Sequence, residues 1–328
     1  MKLLIVFHHR FDFWNVPLWF AERLRKEFAP LEVVRLASYE GVEEEIRDAE
    51  VVITWSLRPE QIEPARKLRW IHSPAAAVHQ LLFPELLGRD IIITNGRDVH
   101  GPVVAEHVIA MILALAKKLP QASRFQHRRA WAQEELWNSY PHPREVRGAT
   151  LGLVGLGTIG RSAARHASRL GMRVIAAREH PEKASPEGVE QVFASSQLDL
   201  LLAQSDYVVL AAPVTSATHN LIDASGLAKM KPDACLINVG RGQLVDEAAL
   251  VQALRDNKIG GAALDVFVEE PLPSSSPLWD FENVLITPHT AGLTEQQWER
   301  QYAVVAENLR RYINRQPLLA IVDQQKGY

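Results

Sequence analysis

Near the middle of the chain an apolar run, Leu151 to Val154, breaks into three spaced glycines and passes at once into a segment of helical period: TLGLVGLGTIGRSAARHASRLG. The spacing of Gly155, Gly157 and Gly160, G-x-G-x-x-G, is weak on its own. Following a strand and opening a helix, it has the context in which the pattern works. Gly155 permits a tight turn, Gly157 lets a pyrophosphate approach the backbone, and Gly160 lets helix and strand pack closely. The helix N-terminus then offers free N–H groups and a partial positive charge to phosphate oxygens. Such a turn commits its surroundings to a parallel sheet with helical crossovers that binds a dinucleotide.

The rest of the chain agrees. Apolar runs of strand length alternate with longer helical segments: KLLIVF, a helical stretch from about Pro17 to Phe28, LEVVRL, the charged EEEIRDA, EVVITW, PEQIEPARK, LRWIHS, a helical stretch through Leu87, and IIIT. Strands of this kind with helical crossovers imply a parallel sheet covered on both faces. A long apolar helix follows, from about Gly101 to Lys118, and then a polar, Trp-containing stretch in which YPHP marks an irregular connection. A second series begins at Thr150 with TLGLVG, RVIAA, YVVLAA, ACLINV, GGAALDV and NVLITP, and a last helix runs from about Glu295 to Arg315. The expected fold class is therefore α/β, with two doubly wound parallel-sheet domains in series. The last helix lies beyond the final strand, where it can cross back onto the first unit.

Totals restrict the alternatives. The 328 residues suggest two domains, at about 100–200 residues each. A net charge of -3 gives no nucleic-acid footprint. The single cysteine, Cys235, excludes an internal disulfide, points to a reducing compartment and reads as a small buried apolar residue. The apolar run of MKLLIVFHH is too short for a signal peptide. The most apolar helix, VVAEHVIAMILALAKK, carries Glu106 and His107 and falls short of the ~20 residues of a bilayer span. The expectation is a soluble, cytoplasmic protein with no membrane partner. H-E-x-x-H and G-x-S-x-G are both missing, which argues against a metal or serine hydrolase. His8, His9 and YPHP are too isolated to suggest a metal site.

One departure carries information. In a dinucleotide-binding unit, the tip of the second strand meets the adenosine ribose, and an Asp or Glu there favours NAD. This chain has Arg178, followed by Glu179, His180 and Lys183. An arginine cannot accept from ribose hydroxyls, but it can pair with a 2′-phosphate in fork geometry and stack on adenine. NADP(H) is the expected preference, with NAD(H) possible.

Ligands of open α/β sheets bind beyond the carboxyl ends of the strands. Three titratable regions stand at such ends: Arg241 between two glycines in LINVGRGQLVDE; Asp265, Glu269 and Glu270 in GAALDVFVEEPLP; and His289 in VLITPHTAG. Together with GLGTIG and NGRDVHGPVVAEHVIAMILAL, these motifs resemble the D-isomer-specific 2-hydroxyacid dehydrogenase family, from about Asn95 to Gly292 and more loosely before that. The resemblance implies a flavodoxin-like substrate domain over 1–98 and 293–328, and a Rossmann dinucleotide-binding domain over 99–292 that includes a hinge and dimer helix. It implies catalytic roles for Arg241, for Glu270 directly before the proline, and for His289, with Asp265 near the nicotinamide amide. Asp265 can equally be a cap or salt-bridge partner. Cofactor contacts are expected from Gly155, Gly157, Thr158, Ile159, Gly160, Arg178, Ala212, Pro213, Val239, Gly240, Arg241, Asp265, His289 and Gly292. No metal is implied.

The implied chemistry is reduction of a small 2-keto acid to the D-2-hydroxy acid. Arg241 would hold the carboxylate and polarise the carbonyl, and His289 would protonate the oxygen as hydride reaches carbon. Glu270 would fix the tautomer and favour the charged ring, so reduction should weaken as pH rises. Backbone contacts to the substrate are expected from Ala76, Ala77 and Val78, where family members often carry Gly-Val-Asp and this chain reads Ala77-Val78-His79. Trp55, Arg58 and Trp279 are pocket or packing residues. Arginine at the cofactor position resembles the NADPH-using glyoxylate/hydroxypyruvate reductases. Some phosphoglycerate dehydrogenases carry a long C-terminal regulatory extension that is expected to be missing here, yet an enzyme like them stays an alternative. So does a nucleotide-sensing, corepressor-like binding protein, although the disordered tail it would need for regulation or recruitment is also expected to be missing. The resemblance implies a homodimer with the Val103–Leu115 face partly buried between subunits; an intramolecular core helix fits the sequence equally well.

Overall fold

The computed structural model describes residues 1–76 and 78–324, which fall into two compact units, 1–100 with 294–324 and 101–293. The first unit holds β1 (Lys2–Val6), β2 (Glu32–Leu36), β3 (Val51–Thr54), β4 (Trp70–Ser73) and β5 (Ile92–Asn95). They form one sheet in the order β2-β1-β3-β4-β5, with every pairing parallel. This is the flavodoxin-like winding order. Successive residues of β1 serve opposite faces. Leu3 and Ile5 pack with Phe20, Leu24, Trp298 and Leu309, whereas Leu4 and Val6 pack with Ile46, Ile62 and Leu81. Two covered faces are the reason the strand reads as an unbroken apolar run. The helix Gln297–Ile313 closes the first face through Trp298, Tyr302, Val305 and Leu309.

The second unit holds β6 (Thr150–Val154), β7 (Arg173–Arg178), β8 (Gln191–Ala194), β9 (Tyr207–Leu210), β10 (Cys235–Asn238), β11 (Gly261–Leu264) and β12 (Val284–Ile286). Its sheet is parallel throughout, in the order β12-β11-β10-β9-β6-β7-β8. The chain winds outward from β6 through β7 and β8, then returns beside β6 and winds the other way. The reversal leaves a crevice between the carboxyl ends of β6 and β9, the topological switch point of a Rossmann sheet. The strand β8 has no counterpart in the sequence reading. It is an edge strand in which Phe193 alone is fully buried, so it lacks the apolar run that marks the central strands.

The helix Gly101–Ala116 buries Val104, Ala105, Val108, Met111, Ile112 and Leu115 in this unit's own core, against Ala163, Ala164 and Ala167 of the helix Thr158–Arg169. Val103, Ile109 and Leu113 stay partly buried. Cys235 is a core residue, and burial pushes its thiol up to about 11. No helix among the described residues is long and apolar enough to cross a membrane.

Candidate active site

At the switch point the glycine turn is built as its spacing requires. Gly155 has φ +100°, and a Cβ there would lie 2.8 Å from the Ala211 carbonyl oxygen. A Cβ on Gly160 would lie 2.1 Å from the Gly155 oxygen, so only glycine lets the helix close on the strand. Gly157 differs, because a Cβ there would meet nothing within 4 Å. Protein packing does not demand this glycine. The open space lies in front of the first turn of Thr158–Arg169, where a Cβ would intrude on an approaching phosphate, and the turn therefore fits a dinucleotide. Ile159 follows within that first turn. Ala212 and Pro213 follow β9, and Val239 and Gly240 follow β10, so these residues line the same carboxyl edge.

Arg178 is the last residue of β7. Its Nη2 donates to the carbonyl oxygens of Lys183 and, at 3.1 Å, Ala184, while its buried Nε has no protein partner. The guanidinium is thus held at the strand tip by carbonyls rather than by a carboxylate.

Arg241 is aimed by its neighbours. Asn238, at the end of β10, donates from Nδ2 to the Arg241 carbonyl at 2.8 Å and accepts from the Gly240 N–H at 3.1 Å. A Cβ on Gly242 would sit 2.0 Å from the Phe267 carbonyl carbon, so this loop presses directly on the segment after β11. Arg241 Nη1 donates to the Gly240 oxygen at 2.6 Å. Burial lowers the pKa of the guanidinium, and the Glu270 carboxylate opposes that shift. An arginine stays charged regardless.

Glu270 and His289 form the chemical centre. Glu270 Oε1 accepts from the Phe267 N–H at 3.0 Å, and Oε2 lies 2.7 Å from His289 Nδ1. The carboxylate accepts a hydrogen bond from Nδ1–H and leaves Nε2 free for chemistry. The imidazole is half exposed. His289 has φ +53°, unusual for a residue with a side chain, and its N–H donates to the carbonyls of Asp265 (2.9 Å) and Thr287 (3.0 Å). Asp265, almost fully buried, accepts from Thr287 Oγ1 at 2.5 Å, Thr290 N at 2.8 Å and Ala291 N at 3.1 Å. Its carboxylate therefore braces the turn that carries His289, and Gly292 follows directly. His107 Nε2 reaches this group at 3.1 Å from Thr287 Oγ1. Sequence reading singled out neither Asn238, Thr287 nor His107 for the site. The available signals were a polar residue ending an apolar strand and a histidine inside an apolar helix.

The remaining expected residues belong to the first unit, apart from Trp279 in the second. Ala76 is exposed after β4, and its carbonyl accepts from Asn95 Nδ2 at 2.6 Å. Val78 is a core residue of the first unit. Ala77 lies outside the described residues. Trp55 packs among Phe7, His9 and Trp14, Arg58 is exposed, and Trp279 donates from Nε1 to the Pro273 carbonyl at 3.0 Å.

Comparison with known proteins gives this arrangement a context. A family model described as D-isomer specific 2-hydroxyacid dehydrogenase, NAD binding domain, matches residues 109–291. A glyoxylate reductase of Korarchaeum cryptofilum is 36% identical over 278 residues, covering 81% of this chain and 80% of the relative. A D-3-phosphoglycerate dehydrogenase of Synechocystis is 37% identical over 250 residues; the match takes in 76% of this chain but spans only 44% of that relative's length. Among solved structures, an NADPH-dependent glyoxylate/hydroxypyruvate reductase of Sinorhizobium meliloti, in complex with NADP and sulfate, superposes with a TM-score of 0.82. That pair is 26% identical and covers 100% of this chain and 99% of the other. The glycine turn at the switch point, the arginine after β10 and the carboxylate–imidazole pair accord with these matches: the chain belongs to the D-isomer specific 2-hydroxyacid dehydrogenase family.

Proposed function

We propose that the protein is an oxidoreductase that reduces a small 2-keto acid, of the size of glyoxylate or hydroxypyruvate, to the D-2-hydroxy acid with NADPH. The observation that carries the reading is the 2.7 Å pair of His289 and Glu270 with Arg241 close enough to feel the same carboxylate. When bound, the reduced nicotinamide supplies hydride to the carbonyl carbon. Arg241 binds the substrate carboxylate with its planar fork and withdraws density from the carbonyl oxygen. His289, protonated at Nε2, gives that proton to the oxygen as negative charge develops there. Glu270 keeps Nδ1 protonated, orients the ring and stabilises the imidazolium before transfer. Gly157 and the first turn of Thr158–Arg169 would receive the pyrophosphate.

Two observations support NADPH: no carboxylate ends β7, and Arg178 has a buried N–H without a partner at the strand tip. The S. meliloti relative is itself described as NADPH-dependent. A second reading, a phosphoglycerate-dehydrogenase-like substrate, is favoured by the Synechocystis match. A homodimer in the cytoplasm belongs to the same proposal. Trp131, Trp137, Tyr140 and Leu119, all exposed in the segment after the long apolar helix, support an interface there, which light scattering would test.

The experiment is to follow oxidation of NADPH and NADH separately with glyoxylate, hydroxypyruvate and 3-phosphohydroxypyruvate, comparing kcat/KM. The expected result is turnover of the small keto acids with a clear NADPH preference that Arg178→Asp abolishes. Equal use of NADH would make Arg178 a bystander. Nucleotide binding without turnover of any 2-keto acid would favour a sensing protein.

A further inference from the structure

With Asp265 ionised, the contacts around it assign the proton of each neighbour. As a carboxylate, Asp265 can only accept hydrogen bonds. Its Oδ1 receives the Thr287 hydroxyl at 2.5 Å and the Thr290 N–H at 2.8 Å, and its Oδ2 receives the Ala291 N–H at 3.1 Å. Thr287 has a single hydroxyl proton, and that proton is committed to Asp265. The 3.1 Å contact between Thr287 Oγ1 and His107 Nε2 must then be filled by a proton on His107. His107 therefore holds its hydrogen on Nε2. Its 3.8 Å separation from Asp265 Oδ1 is too long for a second bond.

We propose that His107 is a positioning residue for proton transfer at His289: through Thr287 it locks the Asp265 carboxylate onto the turn that presents the catalytic imidazole. The inference rests on the reading of His289 as proton donor. Asp265 is tied to both sides of His289, since its carbonyl accepts the His289 N–H at 2.9 Å and its carboxylate holds the next two amides. Without a donor at His107, the Thr287 hydroxyl can rotate away, and the carboxylate loses the contact that fixes its plane. The support is rigid. His107 stands on a helix whose neighbours Val104, Ala105, Val108 and Met111 are buried in the core. Burial lowers the pKa of the ring while the Asp265 carboxylate opposes the shift.

Three variants and one spectrum test this. In His107→Leu, kcat for keto-acid reduction should fall about tenfold to hundredfold, the range that outer-shell partners command at metal-bound histidines, with KM for the keto acid nearly unchanged. His107→Gln, whose carboxamide can donate to the same hydroxyl, should recover most of the loss. Thr287→Val should fall as His107→Leu does, and combining the two should add nothing further. Nitrogen-15 spectra of histidine-labelled protein should show His107 protonated at Nε2, and His107→Leu should move the His289 resonances. A His107→Gln variant as impaired as His107→Leu would reduce the residue to packing and overturn the proposal. So would an unprotonated Nε2, or additive losses in the double variant. The spectra decide the network even if the wild type reduces no 2-keto acid; that outcome alone would defeat the functional reading instead.

Discussion

One histidine of this molecule lies inside a parallel strand and another just beyond the end of one, and their surroundings make them chemical opposites. His72 lies within β4 of the first unit, fully buried, with Nδ1 2.9 Å from Thr94 Oγ1, and Thr94 in turn accepts from Trp70 Nε1 at 2.8 Å. The Thr94 hydroxyl thus bridges the indole and the imidazole inside the core. Burial presses its pKa down to about 4. His289 follows β12 in the second unit, half exposed, with a carboxylate 2.7 Å from Nδ1. A ring sealed from solvent with no nearby anion cannot take up a proton cheaply, whereas one beside a carboxylate and open to solvent can cycle it. The place of each ring goes with its role: one is enclosed within a strand, and the other stands beyond a strand's carboxyl end with a carboxylate on one ring nitrogen.

The largest effect should come from breaking the reactive member. His289→Asn keeps a polar side chain but removes the transferable proton, and kcat for reduction should fall about a thousandfold. Nucleotide affinity should hold. Unchanged turnover would remove His289 from the chemistry. Glu270→Gln comes next. It leaves the imidazole in place without the carboxylate that orients it through Nδ1, and a loss of about tenfold to a hundredfold in kcat is expected. The sharper sign is a kcat-against-KM split: kcat should fall while KM for the keto acid and nucleotide affinity hold. An unchanged kcat would detach Glu270 from the proton.

How much of this was legible without coordinates follows from the same contrast. The central strands announce themselves because both faces are buried; ACLINV and YVVLAA cannot be mistaken. The glycine turn was readable because its positions have separate causes: close packing at Gly155 and Gly160, and open space for a ligand at Gly157. Arg241, Glu270 and His289 stood out as charged residues at strand ends, but their grouping rested on family resemblance, since the chain segments between them carry no local sign of approach. The edge strand β8 was missed because it is half solvated and polar at its start. His107, Thr287 and Asn238 were missed for a different reason. A residue that acts by hydrogen-bonding another looks like ordinary polarity until the partner, 180 residues away for His107 and Thr287, is brought to 3.1 Å.

The smallest effect concerns the silent member. A histidine whose pKa falls from 6.5 to about 4 on folding binds its proton more readily in the unfolded chain. Stability therefore rises with pH between those values and is lost as pH falls from 6.5 towards 4. By pH 5 the loss from His72 should be about 2 kcal/mol. His72→Asn retains an acceptor near Thr94 and has no proton to take up. It should be somewhat less stable at pH 7, through the small cavity it leaves, yet its stability should depend less steeply on pH below 6.5. Hydrogen exchange of the β4 and β5 amides, measured at several pH values, reads this locally in the first unit. His289→Asn should leave that slope untouched. Equal slopes for wild type and His72→Asn would mean that the buried ring takes up its proton as readily as a solvated one, and the contrast between the two histidines would then rest on access to substrate alone.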